Sequence, residues 1–354
     1  MKTNTITQSL LVGAVMFGSI VGAGFASGKE VWFYFAQFGW VCFPLIFLAG
    51  LLMFLLGYCF LEFGKRNGIK TVQVMNQKLF GKLGFWGEII FIFSNIILLS
   101  AMFAGANSLF DIVLSSSIYR FASVVTAILA ILISWQGFDK MVKVNVLIVP
   151  ALIVVIVITF LCGIGNIANF SIPSGVGTKN ILSALVFCIL YVCSNLYFAG
   201  FVFARLGSKY SKKVNFYGSI IASVFLVLCL MGMVLSIYLN PYCSMSVMPL
   251  VFIANSSSHL FGVITLFVVW VGIVTTAVSL VYTISLWLDR YINSFKISSL
   301  IVCIIALIIS GLGFSTIVSY FYSVLGIIGS VFIARMLFIE CKDKIKGQKI
   351  AKKL

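Results

Sequence analysis

Along this chain, apolar runs of about twenty residues follow one another with short polar interruptions from residue 7 almost to residue 338. A run of that length is what a helix needs to cross the hydrocarbon of a bilayer. In lipid every backbone N–H and C=O has to be satisfied within the protein, so the chain reads as an all-α bundle of membrane helices. The spacing predicts ten spans, at 7–37, 39–63, 84–115, 118–136, 143–164, 180–205, 215–239, 259–288, 296–313 and 316–338. Composition agrees, with 62% of the 354 residues hydrophobic, 9% charged and a mean hydropathy of +1.18, beyond the range of water-soluble domains. The first run lacks a strong basic leader and no polar domain follows it, so it is expected to remain a membrane helix rather than a cleaved signal peptide.

A formal charge of +16 would point to nucleic acid in a soluble chain. Here the charge sorts by loop. If the N-terminus is inside, the cytoplasmic segments collect Lys65, Arg66, Lys70, Lys78 and Lys82, then Lys140 and Lys143, then Arg205, Lys209, Lys212 and Lys213, then Arg290, Lys296, Arg335 and a Lys-rich tail. The opposite side keeps only Lys29, Arg120 and Lys179. This asymmetry predicts both termini in the cytoplasm and an even number of spans. The basic surplus therefore reports topology and contact with anionic lipid head groups, and no nucleic-acid partner is expected.

Catalytic and metal chemistry have little support. The nine cysteines lie mostly inside apolar runs without CxxC spacing, which argues against a disulfide framework or a metal cluster. His259, at the outer end of the eighth span, reads as interfacial. Asp111, Cys193 and His259 form no triad or HExxH pattern, and no GxxxxGK[ST] segment is present. Neither an enzyme nor an ATP-driven pump is expected.

Ten spans divide into two fives, and an odd number per half forces the halves to be inverted. The first repeat is expected over 1–170 and the second over 171–340, with a basic tail at 341–354. Corresponding helices of such repeats are often interrupted. The first span carries Gly22, Ala23, Gly24, Phe25, Ala26, Ser27 and Gly28 in succession, and the sixth carries Tyr191, Ser194 and Asn195 followed by Gly200. Both are expected to be discontinuous. Unwound backbone at membrane depth is tolerated only where protein buries it or a cavity solvates it, and it offers free N–H and C=O groups to a ligand. Close helix packing through Gly18, Gly22 and Ala26 is the competing reading. Among intramembrane carboxylates, Glu30 is expected in an external vestibule as a coupling or gating group. Glu88 is expected at an interface and Glu62 at the end of the second span.

The segment GSIVGAGFASGKE, the ten-span count and the 5+5 arrangement resemble the amino acid, polyamine and organocation transporter superfamily with the LeuT-type fold, and within it the YkvI-like bacterial membrane proteins. The resemblance covers the whole chain in length and topology, but only the first span is specific. It implies a multi-pass protein of the bacterial cytoplasmic membrane. The implied function is a secondary active transporter of a small amino-acid-like solute, working by alternating access. Spans 1, 2, 6 and 7 would rock against spans 3, 4, 8 and 9.

The resemblance also implies a sodium site. Its ligands would be carbonyls of Gly18 and Val21 with Gly272, Thr275 and Thr276 from the eighth-span segment GIVTTAVSLVYT; a packing stripe remains the other reading of those threonines. The fifth span has no basic residue beyond Lys143, which favours sodium over protons. A solute carboxylate would sit on the N–H groups of Gly22, Ala23 and Gly24. Tyr191, Ser194 and Asn195 would form the facing wall and Asn95 of the third span would oppose it. Phe25 and Tyr191 are candidate aromatic gates. Ser100, Asn107 and Asp111 would line the outer part of the third span. No cofactor beyond sodium is implied, and the expected partners are the solute and the bilayer. The alternative is a non-transporting ligand receptor of the same fold, like the membrane subunits of spore germinant receptors.

Overall fold

The computed structural model describes residues 4–114, 121–137, 150–151, 153–161 and 181–351. Helices dominate them. The first span is split into α1 (Thr5–Ile20), α2 (Ala23–Ala26) and α3 (Lys29–Tyr34), and α4 (Cys42–Asn67) follows. Next come a short α5 (Val72–Phe80), α6 (Gly84–Leu114) and α7 (Ala122–Ser134). The second half holds α8 (Ile181–Gly207), α9 (Lys212–Leu239), a short α10 (Pro249–Ser257), α11 (His259–Ile292), α12 (Phe295–Ser310) and α13 (Tyr322–Ala351). Half of the expected fifth span, including Lys143, and the expected repeat junction at 170/171 lie outside the described residues.

Local chemistry sets the helix ends. The hydroxyls of Thr71 and Ser211 accept hydrogen bonds from the N–H groups of Val74 (3.3 Å) and Val214 (3.4 Å), capping α5 and α9. At the other end, α4 stops at Gly68 and α11 at Asn293, each in the left-handed conformation (φ 56° and 55°). Within the helices, buried hydroxyls of Ser94, Ser100, Thr126, Ser236 and Thr283 donate to the carbonyl one turn back at 2.7–2.8 Å. That bond lets a polar side chain sit in an apolar span without a distant partner.

Five segments are long and apolar enough to cross a membrane: Ala36–Asn67, Val72–Val113, Ile181–Gly207, Lys212–Leu239 and His259–Ile292. α1, α7 and α12 are shorter apolar helices. Their outward faces carry large apolar side chains such as Phe47, Leu51, Ile128, Leu132, Ile304 and Ile308. An apolar surface of this extent belongs against lipid, not water. The protein is a multi-pass membrane protein.

Packing sorts the helices into two groups. α1, α4, α8 and α9 pack on one another, with α13 along α8, while α6, α7, α11 and α12 form a second bundle. The pairings come in matching sets. α1 lies along α9 as α8 lies along α4, and α6 meets α12 as α11 meets α7. Glycine allows the closest approach in the first group: a Cβ on Gly64 would strike the backbone of Ala204, and one on Gly207 that of Leu61. The first group touches the second chiefly where α1 and α2 meet α11.

One expectation needs correcting. The sixth span is not interrupted, because α8 runs unbroken from Ile181 to Gly207. The polar pair expected to break it is satisfied on its own helix. Ser194 Oγ and Asn195 Nδ2 both donate to the Tyr191 carbonyl, at 3.0 and 2.9 Å, and no glycine interrupts 191–195. The described part of the basic segment expected as a tail continues α13 as helix through Ala351.

Candidate functional site

Helical bonding fails at the end of α1. Val21 N–H still reaches the Phe17 carbonyl at 3.0 Å, but Gly22 N–H turns to Ile20 O at 2.9 Å instead of Gly18 O. Gly22 is extended (φ −101°, ψ −167°). The Gly18 carbonyl thus loses its usual donor four residues on, and the Val21 carbonyl leaves the helix. Thr276 of α11 takes up that carbonyl, donating Oγ1–H to Val21 O at 2.9 Å with Gly272 O at 3.2 Å. The Thr275 hydroxyl bonds Gly272 O at 2.8 Å. Two carbonyls and two hydroxyls therefore converge between the broken helix and α11. All are hard oxygen donors, which fits an alkali cation in donor type.

Beyond the break the chain makes two short helical pieces. Ala23 N–H meets the Met102 thioether sulfur at 3.3 Å, a weak acceptor that plugs the break from α6. Gly28, with φ at +83°, turns the chain into α3. There α10 closes over it: Leu250 N–H donates to Ser27 O at 2.9 Å, and Lys29 Nζ to Ser246 O at 3.4 Å.

A cavity opens beside the break, walled by Ser19 and Gly22, by Glu30 of α3, by Ser194 and Asn195 of α8, and by Thr276 and Tyr322. Leu98 and Met102 bring α6 to its edge. Its free volume is about 20 Å³, room for a water molecule and little more. Glu30 is 5% exposed. Its carboxylate folds back against Gly24, where any Cβ would collide with it. Around it stand Tyr34, Tyr191 and Tyr322, all buried and all within electrostatic reach of the carboxylate. The Tyr322 hydroxyl faces Glu30 and the Tyr34 hydroxyl faces Ser194. Neither closes a hydrogen bond of ordinary geometry, and the Tyr191 hydroxyl meets no partner among the described residues.

The structure thus gathers Gly22, Ser194, Asn195, Glu30 and Thr276 around one cavity, with Gly24, Ala23 and Val21 directly behind its wall. Other expected residues lie elsewhere. Glu30 belongs to this cavity rather than to an external vestibule, because Gly28 turns α3 back over the break. Asn95 is fully buried away from the cavity and donates to Phe91 O at 2.7 Å on its own helix; Leu98 and Met102, on the next turns, take the position expected of it. Phe25 is fully buried against Phe17, ring centroids 6.2 Å apart, and does not line the cavity. The Tyr191 ring packs tilted against Tyr34 and edge-on against Phe35, with centroids 5.4 and 5.0 Å apart.

The remaining polar candidates serve structure. Ser100 bonds its own helix, and Asn107 accepts from Ser123 N–H at 2.8 Å at the start of α7. Asp111 and His259 are exposed. Glu88 pairs with Arg290, and Glu62 accepts from Asn215 Nδ2 at 3.1 Å inside α4 rather than at its end.

Sequence reasoning missed Met102, Tyr34 and Tyr322. Tyr34 was readable, since it lies four residues after Glu30 and so shares its helix face. Tyr322 carried no local signal; it follows a π-helical turn at Ile317–Phe321, a distortion that re-aims the side chains after it.

No protein-family model matches the chain. An uncharacterized membrane protein of Bacillus subtilis, YkvI, is 29% identical over 340 residues, covering 91% of this chain and 93% of that protein. Among solved structures, MhsT in complex with L-phenylalanine superimposes with a TM-score of 0.66 at 18% identity, over 93% of this chain and 87% of the other. A Na+-coupled sialic acid symporter in a substrate-bound outward-open state gives 0.64 at 14%, over 94% and 78%. A manganese transporter of Eremococcus coleocola gives 0.63 at 13%, over 95% and 76%. The chain is thus similar to YkvI over nearly its whole length and has the LeuT-type fold of these transporters.

Proposed function

We propose that the protein is a secondary active transporter of a small amino-acid-like solute, coupled to a cation, with sodium favoured over protons. The observation that carries this reading is the Thr276–Val21 hydrogen bond at 2.9 Å. It joins the two helix groups at the point where the first span is broken, next to a cavity that has room for a water molecule in this conformation and would have to widen to take the solute. A cation bound there by Gly18, Val21, Gly272, Thr275 and Thr276 would tie α1 to α11. It would favour whichever arrangement of the two groups keeps these oxygens together, and that differential affinity is what coupling requires.

Further support comes from the fold. The paired helix contacts agree with two inverted five-span repeats over 1–170 and 171–340, and the separation of α1, α4, α8 and α9 from α6, α7, α11 and α12 gives a rocking motion two rigid bodies. The loop charges agree with a bacterial cytoplasmic membrane and cytoplasmic termini. Among the neighbours, one is described as Na+-coupled and another was solved with L-phenylalanine.

The test is a melting screen of the purified protein against amino acids and related solutes in sodium and in potassium buffer, followed by uptake into proteoliposomes. A ligand at a hundredfold its dissociation constant stabilises by about 2.7 kcal/mol. The expected result is a hit whose shift grows in sodium and which accumulates under a sodium gradient. Binding without uptake under any gradient would replace transport by the receptor reading.

A further inference from the structure

Among the described residues, Glu30 is the only formally charged side chain on the cavity wall. Among the described residues it has no cationic partner, and its neighbour Lys29 turns away to the Ser246 carbonyl. A carboxylate buried at membrane depth without a counter-charge is costly and marks a functional position. The hydroxyls of Tyr34, Tyr191 and Tyr322 are also buried and form no hydrogen bond of ordinary geometry. A carboxyl group and three tyrosine hydroxyls therefore lie together with no cationic group among the described residues to partner them.

We propose that Glu30 is the counter-charge for the ammonium group of the transported solute, so that the solute is an organic amine or an amino acid held by its amino end. The inference rests on the reading of this cavity as the solute site. An ammonium carries three donors and no acceptor, which matches a carboxylate flanked by tyrosine hydroxyls. Behind the cavity wall the rings of Tyr34, Tyr191 and Phe35 pack on one another at centroid separations of 5.0–5.4 Å. Gly24 bears on the same point. The Glu30 carboxylate already lies against the backbone of α2 there, so a solute carboxylate laid on that backbone would meet a like charge.

The test is modification of the full-length protein in detergent by a hydrophobic carbodiimide, which reacts with protonated carboxyl groups and so reads the proton that Glu30 carries without solute and that a bound ammonium would replace, with each site read by peptide mass spectrometry. The chain's other acidic residues, such as Glu62 and Glu88, act as internal controls. Methylammonium, isoamylammonium and putrescine are compared with acetate and 4-methylpentanoate. The expected result is labelling at Glu30 that slows about tenfold with an amine at ten times its dissociation constant, without matching protection from the carboxylates. Glu30→Gln removes the label, Glu30→Asp retains amine protection, and melting curves confirm that both fold. Three results overturn the proposal: equal protection by the carboxylates, no protection by any amine, or no labelling at Glu30 at all, since a carboxyl that no reagent reaches faces no solute. Counterflow of isoamylammonium in proteoliposomes separates the two readings. Protection without counterflow keeps the counter-charge and removes transport; counterflow without protection does the reverse.

Discussion

At Gly24 the absence of one carbon decides where a charge sits. Any side chain there would occupy the place of the Glu30 carboxylate, so Gly24→Ala is expected to push Glu30 out of the cavity while the helices stay packed. Melting within a few degrees of wild type together with loss of solute-induced stabilisation would bear this out; unchanged solute binding would separate Gly24 from the site. Thr276 is the corresponding position on α11. Thr276→Val removes the hydroxyl that meets Val21 O and leaves a buried carbonyl short of a donor, a loss of about 1–3 kcal/mol. Melting in sodium and in potassium buffer tests the role of this hydroxyl. The sodium increment is expected to vanish in the variant, and an increment equal to wild type would mean that the hydroxyl only packs.

Among the elements, α5 is the one that sequence periodicity passed over, being nine residues long and polar. It is held by arginines from other helices. Arg335 of α13 donates to Leu79 O at 2.8 Å, Arg205 of α8 to Lys70 O just before α5 at 3.3 Å, and Arg290 of α11 bridges Gln73 and the buried Glu88. Both helix groups are therefore latched to the same short segment. Arg290→Ala strands Glu88 without its partner and is expected to cost about 3–5 kcal/mol. Arg290→Leu combined with Glu88→Leu is expected to recover most of that, measured by thermal melting in detergent. A double variant no more stable than the single one would mean that the guanidinium acts through Gln73 instead. Arg335→Ala leaves the pair intact and is expected to loosen α5, read as faster amide exchange over 72–80.

At the scale of the whole molecule, the proposed transport cycle would lift α10 from the broken first span. The contacts to be released are Leu250 N–H to Ser27 O and Lys29 to Ser246. A cysteine pair at Lys29 and Ser246, joined by a bifunctional maleimide, is expected to lower uptake at least tenfold while leaving the melting temperature unchanged or higher. The described native cysteines other than Cys59 are buried, and the uncrosslinked pair controls for them. Full uptake after complete crosslinking would exclude movement at this contact.

What the sequence determined by itself was whatever depends on local composition. Apolar run length determined a membrane bundle, and loop charge predicted its orientation. The glycine run marked where the first span breaks, because only small residues let the backbone turn there and let another group approach. Tertiary structure decided which polar groups share a cavity. Asn95 and Ser194 are both polar residues in apolar helices that donate to their own helix, yet Ser194 lines the cavity and Asn95 does not, a difference set by rotation of α6 and α8. The sixth span looked breakable because Ser194 and Asn195 are polar, and it stayed whole because the Tyr191 carbonyl satisfies both. Glu30 reached the cavity because Gly28 reverses the chain and Gly24 leaves room for a carboxylate. Tyr322 joined it from nearly three hundred residues away, through a helix contact that no local pattern encodes.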